Sequence, residues 1–140
     1  MTPAEAEALR QRARELGLDA HSTFWSVTAD VLALALNGIG PSWLPQDAVD
    51  LISKNQGRFA AAAAIHAWDF FRSTSRFSDF VEANKRFRDN CFRTVRRTIS
   101  PARFWKRGEM FADAETLYVF VCAFGWPGYK AEAQKAEEAA

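Results

Sequence analysis

Apolar residues recur along most of this chain at spacings of three and four, the period of an amphipathic helix, and no stretch alternates as a strand would. Thr2-Pro3-Ala4-Glu5 has the form of a capping box with proline at the first helical position, which predicts a helix over about Pro3–Leu16 closed by Gly17. Ser22 or Thr23 then caps a second helix through Phe24, Val27, Val31 and Leu34, which stops at Asn37-Gly38. A tight loop follows to Pro45, then a short helix over about Gln46–Lys54 and a turn at Asn55-Gln56-Gly57. The central helix is expected from about Arg58 to Arg72, and Ser73-Thr74-Ser75 breaks it.

The fourth long helix is expected from Ser78 to about Ile99, with an apolar stripe of Phe77, Phe80, Val81, Phe87, Cys91 and Val95. Ser100-Pro101 restarts the chain, Gly108 is expected to interrupt it, and a last apolar helix spans Ala112–Phe124. Trp126-Pro127-Gly128-Tyr129 reads as a turn, and residues 130–140 read as a frayed tail. The expected architecture is therefore all-α: one helical domain over residues 1–129, a compact bundle of about five to six helices around a buried Ala-rich helix.

Two places break the apolar pattern. The run Phe59–Phe71 is apolar on nearly every face, as a buried helix is, and His66 and Asp69 interrupt it. Asn84 falls on the stripe of the next long helix, between Phe80 and Phe87. Buried polar groups are costly unless hydrogen-bonded, so these residues mark either satisfied core positions or the wall of a site.

With 140 residues, 12 Phe and 5 Trp, the chain can build one aromatic-rich core. The formal net charge of +1 points to no class of partner, but its distribution does. From Lys85 to Arg107 nine basic residues face one acid, a local balance of +8. Within it Arg86, Arg93 and Arg97 share a helical stripe. Cys91 and Cys122 are isolated and read as free buried thiols. The N-terminus lacks the basic-then-apolar form of a signal peptide, and no uncharged stretch is long and unbroken enough to span a bilayer.

Four motifs in order, an Asn-Gly-x-Gly-Pro loop (37–41), a His-x-Trp-x-aromatic helix (66–70), Glu-Ala-Asn-x-x-Phe (82–87) and a Tyr-containing apolar helix ending Phe-Gly (118–125), resemble a group of small bacteriophage and prophage proteins. That pattern is in turn similar to the phospholipase A2 core. The resemblance implies a calcium-binding loop at Asn37, Gly38, Ile39 and Gly40, and a water-activating histidine at His66. It places the histidine-orienting residue at Asn84, where the pattern has Asp, and Phe70 where it has Tyr. The calcium carboxylate of the pattern falls on Ala67, with Asp69 three residues from His66. Calcium takes several oxygen ligands, usually carboxylates among them, so the resemblance implies a degenerate core without calcium-dependent catalysis, and no resident cofactor. It also implies a host-cytoplasmic or virion-associated protein that meets a phage or host partner.

Each feature carries a second reading. His66 and Asn84 are a structural pair or a surviving catalytic pair, with Asp69 assisting. The loop at 37–41 is a helix stop or an ion site, and Asp69 is an arginine partner or a metal ligand. The basic run is a solvated face, a grip for nucleic acid through Arg86, Arg93 and Arg97, or a contact for anionic lipid or an acidic partner.

Overall fold

The computed structural model describes residues 1–37 and 46–140, leaving aside the side chains at 48, 49, 52, 53 and 56. These residues form α1 (Pro3–Glu15), α2 (Ser22–Ser26), α3 (Ala29–Asn37), α4 (Gln46–Phe71), α5 (Phe77–Thr98), α6 (Phe104–Phe124) and α7 (Trp126–Ala139), with no strand among them. The expected all-α bundle is present. Helix α4 is its axis and touches α1, α3, α5, α6 and α7, while α5 and α6 pack side by side as a hairpin.

The capping box forms as its residues dictate: Thr2 Oγ1 accepts from Glu5 N at 3.2 Å, and Thr2 N donates back to Glu5. Gly17 ends α1 at φ +64°, a conformation that favours glycine. The expected second helix divides in two. Val27 is extended at φ −65°, ψ 150°, and Thr28 O starts the bonding of α3 by accepting from Leu32 N at 3.0 Å. The buried guanidinium of Arg10 stabilises the break by donating through Nη1 to Phe24 O (3.2 Å) and Val27 O (2.5 Å), carbonyls freed where α2 stops.

Elsewhere local signals yield to packing. Asn55-Gln56-Gly57 is not a turn, because α4 runs through it. Asn55 Nδ2 instead donates to Leu51 O (3.0 Å) and to Asp113 Oδ2 on α6 (3.2 Å). Gly108 does not interrupt α6, and Trp126-Pro127 forms the first turn of α7. Helix α7 continues to Ala139 and buries Tyr129 and Ala133.

The core groups Ala61, Ala62 and Ile65 of α4 with Phe87, Cys91 and Val95 of α5 and Met110, Ala114 and Leu117 of α6. A smaller aromatic cluster joins Phe70, Phe80 and Tyr129. Of the predicted α5 stripe, Phe80, Phe87, Cys91 and Val95 are buried, but Phe77 and Val81 are exposed. Cys91 is buried as expected, whereas Cys122 is exposed, because it lies on the outer face of α6. No helix among the described residues is long and apolar enough to cross a membrane.

Candidate functional site

His66 and Asn84 meet where α4 crosses α5. His66 Nε2–H donates to Asn84 Oδ1 at 2.9 Å. The imidazole also lies against Phe70 and Phe87, with ring centroids 4.5 and 4.7 Å away. Burial pushes the His66 pKa down from 6.5 to about 4, although the bond to Asn84 favours the charged form. An amide cannot balance an imidazolium as a carboxylate would, so the ring is neutral. Asn84 is fully buried, and its Nδ2 has no partner among the described residues.

Asp69, one turn along α4, does not join this pair. Its Oδ2 accepts from Arg86 Nη1 at 2.8 Å, and Arg86 Nε reaches Asp19 Oδ2 at 3.1 Å. Burial raises the Asp69 carboxyl above its ordinary value, and the pull of Arg86 only partly offsets this. Burial works against the Arg86 charge too, but Asp69 and Asp19 outweigh it and hold its pKa up.

Among the described residues, the side chains around His66 offer calcium no free carboxylate. Ala67 offers no side-chain oxygen, and the one nearby carboxylate on α4 is bound to a guanidinium. Gly38, Ile39 and Gly40 lie outside the described residues. Asn37 ends α3, where its Oδ1 accepts from the Met1 amino group at 2.6 Å and its Nδ2 donates to Met1 O at 3.1 Å.

Part of the basic run is engaged inside the protein. Arg86 is paired as described, Arg93 Nη1 donates to Gly17 O at 2.6 Å, and Arg88 Nε donates to Glu115 Oε2 at 2.9 Å. Arg97 remains exposed, with its guanidinium beside Gly17. Arg86 and Arg93 thus fasten α5 to the α1–α2 connection. Asn90 completes that seam, accepting from Asp19 N (2.9 Å) and donating to Asp19 O (2.8 Å), as a strand neighbour would. Asn90 was legible in principle, since it sits three residues after Phe87 and four before Thr94, on the buried face.

A cleft of about 280 Å³ opens beside the Asp69–Arg86 pair, lined among others by His21, Arg72, Asp79, Glu82 and Tyr129. No local motif announces these residues, because they converge from α4, α5, α7 and the start of α2. His21 caps α2, and its Nδ1 lies 2.9 Å from Thr23 Oγ1, which accepts from Trp68 Nε1 at 3.1 Å. Two guanidinium groups and three carboxylates line the cleft, so it has no single sign of charge. His66 and Asn84 are not among its lining residues. Among the described residues, no three His, Cys, Asp or Glu side chains group as metal ligands do. No protein family, characterised protein or solved structure matches this chain.

Proposed function

We propose that this chain is a non-catalytic helical protein, acting in binding or structure, built on a degenerate phospholipase A2-like core of the kind found in small phage and prophage proteins. The observation that carries the reading is the His66–Asn84 pair. Its imidazole lies against two phenyl rings, is tied to a neutral amide, and is a weak base with a pKa of about 4. A general base works best when its pKa is near the operating pH, and this one is far below it. Asp69, the other candidate acid or base, is committed to Arg86.

A working hydrolase is the second reading. It is favoured by the unbonded ring nitrogen: Nε2 is held by Asn84, while Nδ1 has no hydrogen bond among the described residues. Hydrolysis of phosphatidylcholine and of a simple aryl ester, with calcium and with chelator, separates the two. The non-catalytic reading expects no turnover above that of His66→Ala in any condition. Turnover that disappears in a folded His66→Ala variant overturns it.

A further inference from the structure

We propose that the corner between α5 and α6 docks on the surface of an anionic phospholipid bilayer. The inference is independent of the chemistry at His66. Phe104 and Trp105 are 64% and 72% exposed, and Trp105 is the most exposed of the large apolar side chains among the described residues. They lie side by side at the start of α6, with ring centroids 4.3 Å apart. Single exposed apolar residues are ordinary, but an exposed Phe-Trp pair at the tip of a hairpin is a wedge. Tryptophan favours the headgroup level of a bilayer, where its ring is buried and its indole N–H stays wet.

The surroundings supply the matching charge. From Arg96 to Arg107 the chain has five cations and no acid. Arg96, Arg97 and Arg103 are exposed and have no acidic partner among the described residues. Lys106 is shared with Glu109 at 3.7 Å. Arg107 is held from within: it donates to Ile99 O (2.7 Å) and Arg96 O (2.9 Å), fixing the corner that presents the two rings. The backbone of the corner that carries the wedge is thus fixed before any partner arrives, which lowers the entropic cost of docking.

Charge complementarity favours a membrane over a nucleic acid. A phosphate backbone is gripped by a line of cations, yet Arg86, Arg88, Arg93 and Arg107 are all bound within the protein. Of the exposed cations that remain, Arg96 and Arg97 lie at the end of α5 and Arg103 immediately precedes Phe104 and Trp105, so cations flank the apolar tip in the chain, as suits an anionic headgroup layer above acyl chains.

The test is co-sedimentation of the purified full chain with vesicles of phosphatidylcholine alone and of phosphatidylcholine mixed with phosphatidylglycerol. Each arginine near such a surface is worth about fivefold in binding, so replacing Arg96, Arg97 and Arg103 by Ala together should weaken it about 100-fold. Trp105→Ala should weaken it about tenfold. Trp105→Phe should bind within a few-fold of the parent but lose the blue shift in tryptophan emission. Because all four side chains are exposed, circular dichroism should be unchanged in every variant. Equal binding to neutral and anionic vesicles, no binding to anionic vesicles, or variants that bind like the parent would each overturn the proposal. So would tighter binding, through the same residues, to a duplex DNA fragment or an RNA homopolymer at the same salt.

Discussion

Lowering the pH from about 7 to about 5 is expected to cost this protein about 2 kcal/mol of stability through His66 alone. In the unfolded chain the imidazole takes up its proton near 6.5, whereas in the folded protein burial delays this to about 4. Between those values the unfolded state binds more protons, so stability falls as pH falls. The full penalty, reached below the folded pKa, is about 3 kcal/mol, since each pKa unit is worth about 1.4 kcal/mol. That is a large share of the roughly 5–15 kcal/mol that holds a domain of this kind. Asp69 acts in the opposite sense. Its carboxyl is raised in the folded state, so its contribution grows as pH falls through that raised value. Comparing the parent with His66→Gln cancels the Asp69 effect, which both carry. Urea unfolding followed by circular dichroism at the two pH values gives the difference directly. The parent should lose about 2 kcal/mol more than His66→Gln on acidification. Equal losses would refute the argument that His66 is held neutral by burial.

Three further outcomes follow from the packing. Arg86→Gln leaves the buried Asp69 carboxylate without its partner and should cost about 3 kcal/mol, whereas Arg88→Gln, which breaks the more exposed pair with Glu115, should cost under about 1 kcal/mol by the same unfolding assay. Gly125→Ala should destabilise by about 1–3 kcal/mol, because an added Cβ would collide with Val121 O and press to 3.1 Å from Phe80 Cε2. In the native protein a bulky aromatic disulfide reagent should modify Cys122 and spare Cys91 until the chain unfolds, a difference that mass spectrometry of the labelled peptides reads.

Much of this molecule was legible from residue spacing. The capping box at Thr2, the left-handed stop at Gly17 and the buried positions Phe80, Phe87, Cys91 and Val95 follow from local rules. The direct bond between His66 and Asn84 joins two of the three polar residues that interrupt the apolar pattern. What could not be read locally is where long-range contacts decide. Arg10 supports the break at Val27 from another helix, and Asn55 turns an apparent loop signal into a link between α4 and α6. The charge run was the least transparent feature. Its +8 balance reads as one basic face, but ion pairs and carbonyl contacts engage Arg86, Arg88, Arg93 and Arg107, leaving exposed cations at the α5–α6 corner. The cleft beside Asp69 gathers residues as far apart in sequence as His21 and Tyr129, and no spacing rule predicts that.

The central claim is that His66 is a neutral, half-buried imidazole tied to an amide, and the most direct measurement is a pH titration of its ring nitrogens by nuclear magnetic resonance. With only two histidines in the chain, a His21→Gln variant assigns the signals. The account predicts a proton on Nε2, none on Nδ1, and a titration midpoint near 4. A midpoint at or above the ordinary 6.5 would contradict it, and would return His66 to consideration as a catalytic base.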